Sequence, residues 1–350
     1  MSRCLNCVDW TFRFRPRTLP PMSDDLRLFA PSESADFGRA VAAALDTDLD
    51  DHHERTFADG EHELRSEVNV RGRDVFVVQS LYADPEFSVN DKLARLLFFL
   101  GSLRDAAARR VTAVVPYLCY QRKDRKSKPR DAVTTRYLGS LFAAIGVDRV
   151  LSMDVHNLAV FQNSFHTVAE HLEARPLFVQ RIANHLEEDN VVVVSPDEGG
   201  VKRASRFAGG LGATLGREVP TAFVEKTRDK TEERVSGGRL VGPADGRVAV
   251  IVDDLISTGG TITQAAAACA NEGAHTVVAA ATHGLFSGDA PANISDSPLD
   301  ALFVTNTVAP FRLEGTAAAD RLMVCDAAPR FAAAIRAIHT EASVSALNKI

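Results

Sequence analysis

One segment constrains this chain more than any other: V-A-V-I-V-D-D-L-I-S-T-G-G-T, residues 248–261. Residues 248–252 are all apolar and four of the five are β-branched. Such a run reads as a strand buried on both faces of a parallel sheet. Two carboxylates, Asp253 and Asp254, stand at its C-terminal end. A small hydroxyl- and glycine-bearing turn follows, Ser257-Thr258-Gly259-Gly260-Thr261, and then an Ala-rich helix from 262 to about 271. Loop N–H groups and a helix N-terminus can hold a phosphate, and carboxylates accept hydrogen bonds from sugar hydroxyls. The plain alternative is an ordinary βα turn, but such turns rarely carry two acids directly before T-G-G-T.

The rest of the chain repeats the strand-then-helix pattern. Strands are expected at 74–79, 111–116, 150–153, 191–194, 248–252 and 276–280. Helices are expected at 37–45, 90–104, 135–145, 177–185, 202–208 and 262–271. The alternation predicts an α/β chain of two similar halves, each a mostly parallel sheet flanked by helices. At 350 residues two domains are expected: 26–172, then 173–335, with 336–350 a C-terminal helix or tail that packs back on the first half. Residues 1–25 are expected to be a disordered extension with an alternative start at Met22, and the first 22 residues, which lack periodicity, to be dispensable.

Bulk properties exclude several classes. A net charge of −6 gives no global attraction to nucleic acid or to an anionic membrane. No apolar run is long enough to span a bilayer. The five cysteines, Cys4, Cys7, Cys119, Cys269 and Cys325, form no disulfide framework, so the expected compartment is a reducing cytoplasm. Cys4-x-x-Cys7 is half a zinc or redox motif, and no second pair follows at finger spacing.

Further motifs fall at expected strand ends, where open α/β sheets bind ligands. Residues 114–130 read V-V-P-Y-L-C-Y-Q-R-K-D-R-K-S-K-P-R, with six basic residues and one acid after Gln121. Arg122 and Arg125 offer planar forks and Lys123 a point charge, which suits a polyphosphate. A solvated loop and an RNA contact are the other readings, though no aromatic residues interleave after Tyr120. In S-M-D-V-H, Asp154 and His156 lie two apart and are expected on the same side of an extended chain. His156 suits a metal or a nucleotide phosphate, or is simply a hydrogen-bonded strand-end histidine. In 191–203, V-V-V-V-S-P-D-E-G-G-V-K-R, Asp197 is a hard oxygen ligand suited to Mg2+. In 223–234, F-V-E-K-T-R-D-K-T-E-E-R, eight of twelve residues are charged. That is a solvated loop, or one that brings Lys226 and Arg228 onto a transferring phosphoryl group. In R-T-F-A-D-G-E, 55–61, Phe57 can stack on a base.

In this order the motifs resemble the phosphoribosyl pyrophosphate (PRPP) synthetases, from about residue 28 to 347. F-A-D-G-E, P-Y-L-C-Y-Q-R-K-D-R-K, D-V-H, S-P-D-E-G-G-V-K-R, K-T-R, D-D-L-I-S-T-G-G-T and T-H-G-L-F-S-G all occur in family order. Phosphoribosyltransferases share the D-D…T-G-G-T loop but lack the P-Y-x-x-Y-x-R and S-P-D-x-G-G segments. The resemblance implies two phosphoribosyltransferase-type domains. It also implies transfer of the β,γ-diphosphoryl group of MgATP to the C1 hydroxyl of ribose 5-phosphate. By the same resemblance, Ser257, Thr258, Gly259, Gly260 and Thr261 hold the 5-phosphate and Asp253 and Asp254 the ribose hydroxyls. Arg122, Lys123 and His156 contact ATP, and His156 and Asp197 work with Mg2+. Phe57, Asp59 and Glu61 form an adenine pocket across a subunit boundary, which implies a homo-oligomer. Lys226 and Arg228 stabilise the transition state.

The chain departs from the family pattern at Lys123, Ser257, Ser127 and Pro129, and loosely over 157–165. Ser127 and Pro129 put family-type allosteric control in question. A catalytically silent regulatory subunit and a phosphoribosyltransferase are the competing readings. Retention of Lys226, Arg228, Asp197 and His156 argues against the first.

Overall fold

The computed structural model describes residues 25–186, 190–225 and 238–349. Cys4, Cys7, Met22, Lys226 and Arg228 lie outside the described residues. The chain runs β1 (Leu26–Phe29), α1 (Ala35–Leu45), β2 (His52–Thr56), β3 (His62–Ser66), β4 (Asp74–Val78), α2 (Val89–Asp105), β5 (Arg110–Val115), α3 (Thr134–Ile145), β6 (Arg149–Met153), α4 (Leu158–Ser164) and β7 (Val168–Leu172). It continues α5 (Arg175–His185), β8 (Val191–Ser195), α6 (Val201–Leu215), β9 (Thr221–Glu225), β10 (Arg239–Val241), β11 (Val248–Ile256), α7 (Gly260–Asn271), β12 (Thr276–Gly284), α8 (Ala290–Ser295), β13 (Ala301–Thr305), β14 (Leu322–Cys325) and α9 (Ala328–His339).

Two sheets result. The first is parallel throughout, in the order β1-β4-β5-β6-β7. The second has the order β10-β9-β8-β11-β12-β13-β14 and is parallel except where β10 turns back on β9. A separate antiparallel hairpin, β2–β3, stands beside α2. Strand alternation sorts the side chains. Val248, Val250 and Val252 of β11, and Val278 and Ala280 of β12, enter one core together with Phe76, Val114, Leu151 and Met153 of the first sheet and with α1, α5, α6 and α9. Ala249, Ile251, Ala279 and Ala281 face the opposite way, under α7 and α8. The outer face of the first sheet packs on α2, α3 and α4. One apolar core therefore joins the two halves.

The C-terminal helix seals that junction. In α9, Phe331 meets Phe37 of α1 edge-on at 5.6 Å, and Arg336 donates to the Leu45 carbonyl at 3.0 Å. This helix begins at Ala328, earlier than the expected 336, because Pro329 falls at its first turn, where its missing N–H costs nothing. Strands β11 and β12 both run four residues past their expected ends, to Ile256 and Gly284. Asp253 and Asp254 thus lie within the strand, and Asp253 is paired opposite Ala281. The short or polar strands β1, β2, β3, β7, β9, β10, β13 and β14, and the helices α4 and α8, were not among the expected elements. The described cysteines, Cys119, Cys269 and Cys325, are buried free thiols pushed up to about 12, 12 and 11 by burial. No helix among the described residues is long and apolar enough to cross a membrane.

The β2–β3 hairpin is tied to the first half by a charge network. Arg95 of α2 donates to Glu33 at 3.0 Å and to Glu54 at 2.6 Å, and the arginine and Glu33 are almost fully buried. Glu54 also receives His52 at 2.6 Å and the Ser32 hydroxyl at 2.7 Å. Burial alone would raise the Glu54 carboxyl, but the hydrogen bonds from His52 and Ser32 outweigh it and hold it down to about 2. The same bond raises the His52 imidazole. Glu54 therefore stabilises the fold above its ordinary value of 4.5 and loses that contribution as pH falls toward 2. His52 contributes below its ordinary value of 6.5 and loses it as pH rises through its folded value. Glu54→Gln should accordingly lower the denaturation midpoint most between pH 4.5 and 6.5. A constant difference from pH 3 to 9 would contradict this.

Two glycines give opposite expectations. A methyl at Gly139 of α3 would lie 2.3 Å from the Ser164 carbonyl oxygen, a backbone atom that cannot swing aside. Gly139→Ala should cost about 1–3 kcal/mol, the scale of overpacking. Gly209, in α6, faces open space. Gly209→Ala should stabilise by about 0.4–1 kcal/mol through the unfolded chain. Chemical denaturation of both variants checks the pair.

Candidate active site

The C-terminal ends of β5, β6, β8 and β11 converge on one cleft of about 740 Å³ between the two halves. Its lining includes Arg122, Lys123, His156, Asp197, Asp253, Asp254 and the whole turn Ser257–Thr261. Residues far apart in sequence thus meet because every parallel strand delivers its following loop to the same side. A second chamber of about 620 Å³ opens from it, sharing His156, Arg203, Asp253 and Asp254 and reaching back to His171, Glu173 and Thr282.

The turn between β11 and α7 is made by Gly259, whose φ of 81° is left-handed backbone that favours glycine. The turn is braced from α8, where Asn293 donates to the Thr258 carbonyl at 2.9 Å. No side chain caps α7, so its first N–H groups are available to an anion at the turn.

The alternation that sends Val250 and Val252 into the shared core carries Asp254 to that same side, toward the first half. There its Oδ2 lies 2.7 Å from His156 Nδ1. Arg203 of α6 spans both acids, with Nη1 2.5 Å from Asp253 Oδ1 and Nη2 3.0 Å from Asp254 Oδ1. Adjacent carboxylates repel by a few kcal/mol at a protein-like dielectric, about 4 kcal/mol at 4 Å. The guanidinium offsets this at both. Burial, and then Asp254, push the Asp253 carboxyl up. Burial also disfavours charge on Asp254, but the His156 hydrogen bond and Arg203 outweigh it and hold it well below the usual range. The bond to Asp254 in turn raises the His156 imidazole. With Nδ1 committed to Asp254, His156 keeps Nε2 for a ligand.

His156 and Asp154 both line the second chamber, but the chain between them is not the extended strand that was expected. Asp154 has φ 37°, so the strand ends in a left-handed turn. Its carboxylate faces Thr282 and the Ala174 N–H, at 2.5 and 3.0 Å, while His156 faces Asp254. The His156 N–H donates to Gln121 Oε1 at 2.7 Å. Lys123 lines the cleft with its Nζ bonded to Asp131 at 2.5 Å and to Ser127 at 2.7 Å. In the basic loop, Asp131 is held down to about 2 by hydrogen bonds from Lys123 and the Lys128 N–H. Asp197 Oδ1 accepts from the Gly200 N–H at 3.1 Å. Phe57, Asp59 and Glu61 are not brought to the cleft. They occupy the tip of the β2–β3 hairpin, where Arg55 covers the Phe57 ring at 4.5 Å.

Sequence reasoning missed Arg203 as a site residue, although it closes the quoted S-P-D-E-G-G-V-K-R motif. The signal was its i, i+6 spacing from Asp197: a cation in the first turn of a helix, where helix dipoles disfavour it, needs acidic partners. Among the described residues no group of three or more His, Cys, Asp or Glu side chains is arranged to hold a metal. Of the two residues expected at a metal, both of which line the cleft, Asp197 offers the carboxylate oxygen that Mg2+ takes.

Known proteins resemble this chain over most of its length. Residues 26–146 match the N-terminal domain of ribose phosphate pyrophosphokinase, and residues 220–349 match the phosphoribosyl synthetase-associated domain. A ribose-phosphate pyrophosphokinase of Caldanaerobacter subterraneus subsp. tengcongensis is 37% identical over 325 residues, 93% of this chain and 98% of that protein. One from Mycobacterium bovis is 36% identical over 324 residues, 92% and 95% of the two chains. The crystal structure of phosphoribosylpyrophosphate synthetase from Mycobacterium smegmatis superposes with a TM-score of 0.80 at 33% identity, covering 91% of this chain and 99% of that one. With relatives this similar over nearly its whole length, the chain belongs to the ribose-phosphate pyrophosphokinase, or PRPP synthetase, family.

Proposed function

We propose that this chain is a ribose-phosphate diphosphokinase. It moves the β,γ-diphosphoryl group of ATP to the C1 hydroxyl of ribose 5-phosphate, giving PRPP and AMP. The observation that carries this reading is the composite cleft, in which a sugar-phosphate turn from one half faces the basic and histidine groups of the other. A phosphoribosyltransferase needs only the turn; transfer from a nucleotide needs both sides.

Ser257–Thr261 and the first N–H groups of α7 hold the 5-phosphate, and Asp253 and Asp254 accept from the ribose hydroxyls. Arg122 and Lys123 bind the nucleotide's phosphates. His156 Nε2 and the Asp197 carboxylate would hold Mg2+, which when bound would screen the phosphate oxygens and favour attack at phosphorus. The C1 oxygen attacks the β-phosphorus and gives up its proton to solvent. The bond from the β-phosphorus to the bridging oxygen breaks, and AMP leaves with that oxygen. Charge develops on the diphosphoryl oxygens, where cations lower the barrier. Lys226 directly follows Glu225, the last residue of β9. Strand β9 runs parallel to β8, so its C-terminal end lies on the side that carries Asp197. This supports placing Lys226 and Arg228 at the transferring group.

A homo-oligomer completes the site. The Phe57, Asp59 and Glu61 hairpin tip lies outside the cleft of its own chain, so we assign it to the adenine pocket of a second copy. The exposed rings of Phe98, Tyr120 and Tyr137 and the exposed Leu141, on and around α2 and α3, supply an apolar surface for that contact.

Incubation with MgATP and ribose 5-phosphate should give equal amounts of AMP and PRPP. Formation of ADP, or no consumption of ATP, would contradict the reading. Asp253→Ala should weaken ribose 5-phosphate binding by about 1.5–3 kcal/mol, the scale of a lost charged acceptor, and ATP binding much less, whereas Asp254→Ala, which also releases His156, should weaken both. Calorimetry with each ligand separates the two. Lys226→Ala and Arg228→Ala should lower kcat by about 10²-fold or more with little change in KM. Near-normal turnover would move the catalytic cations elsewhere. Light scattering should show more than one 37.8 kDa chain. A fully active monomer would sink the shared adenine pocket.

A further inference from the structure

The motif T-H-G-L-F-S-G has no part in the roles above, yet its first two residues are among the most buried polar groups of the molecule. Thr282 is 2% exposed and His283 fully buried, at the end of β12. Both reach out of the second sheet to the end of β6 in the first, at Met153 and at Asp154 just beyond it. His283 Nε2 lies 3.0 Å from the Met153 carbonyl, which can only accept, so Nε2 carries the proton. Its Nδ1 then accepts from the Thr307 hydroxyl at 2.8 Å. Thr282 donates its hydroxyl to Asp154 Oδ2 at 2.5 Å, and the Ala174 N–H reaches the same oxygen at 3.0 Å.

These contacts bracket the one left-handed residue between β6 and the cleft. Asp154, at φ 37°, is not a glycine and needs its surroundings to hold it there. Two residues later comes His156, whose ring stands against Asp254. The backbone has few ways to carry His156 to Asp254 once Met153 and Asp154 are pinned and the His156 N–H is bonded to Gln121.

We propose that Thr282 and His283 are positioning residues: from the second half they clamp Met153 and Asp154, and so set the turn that aims His156 into the cleft. The proposal rests on the reading that His156 serves the nucleotide phosphates or their metal. It gives Thr282 and His283 a part in the reaction without contact to any substrate.

The test is a cycle of variants. Thr282→Val removes the hydroxyl and keeps the shape, whereas Thr282→Ser keeps the hydroxyl. Thr282→Val should lower kcat/KM for MgATP by about ten- to hundredfold, the range expected for a hydrogen bond to a charged group. Thr282→Ser should recover most of that. In a His156→Ala background Thr282→Val should cost no more than about twofold, because coupled residues are not additive. Equal losses in the Val and Ser variants, or additive losses in the double variant, would overturn the proposal. An activity-independent readout is the imidazole signal of His156 in long-range 1H–15N spectra, assigned by its absence in His156→Ala. It should shift in Thr282→Val and not in Thr282→Ser; no shift in either would also overturn the clamp. Were the wild-type chain to make no PRPP, the reaction would fall while these spectra still decided the clamp. If Thr282→Val does not fold, Thr282→Ala carries the same cycle. Failure of both beside a folded Thr282→Ser would assign the hydroxyl to folding and refute the proposal.

Discussion

The site depends on one guanidinium. Two neighbouring carboxylates at the end of β11 are held near each other, in a partly dry cleft, because Arg203 contacts both. Without a cation there, repulsion and desolvation would drive one acid to protonate or turn away. With it, Asp254 keeps its charge and grips His156 from the other half of the chain. A sheet end from each half is thereby locked to the other through three side chains, and the cleft between them acquires a cationic wall, an anionic wall and a phosphate turn.

This explains why the fold needs two halves that share a core. Parallel strands put their loops at one end of a sheet, but one sheet offers only one such edge. Here two edges face each other because Val250, Val252, Val278 and Ala280 pack into the same apolar layer as Phe76, Val114 and Met153. The rows that build that layer run on into Asp254 and Thr282. Core packing and the chemistry of the site are therefore the same alternation, read a few residues further along each strand.

Much of this was legible from residues. Long β-branched runs such as 191–194 and 248–252 admit little but buried strands, and the motifs that follow them have few uses outside phosphate and sugar binding. Edge strands such as β2, β3 and β10 were not legible, because half-exposed polar strands carry no continuous apolar run. The site residues Asp253, Asp254, His156, Asp197 and 257–261 were expected together and line one cleft. Arg203 was missed because its importance lies in partners fifty residues away, and the turn at Asp154 because tertiary contacts from 282 and 283 impose it. Lys123 shows the converse: a lysine in a basic run gives no hint that Asp131 holds it.

The central claim is that one reaction spans both halves. A crystal structure with ribose 5-phosphate and a non-hydrolysable ATP analogue tests it most directly. The account predicts the 5-phosphate on Ser257–Thr261 and the triphosphate on the Arg122 and His156 wall, with the β-phosphorus facing the sugar's C1 hydroxyl. Both ligands seated on one half, or a sugar lodged in the chamber beside Thr282 and away from the turn, would contradict it.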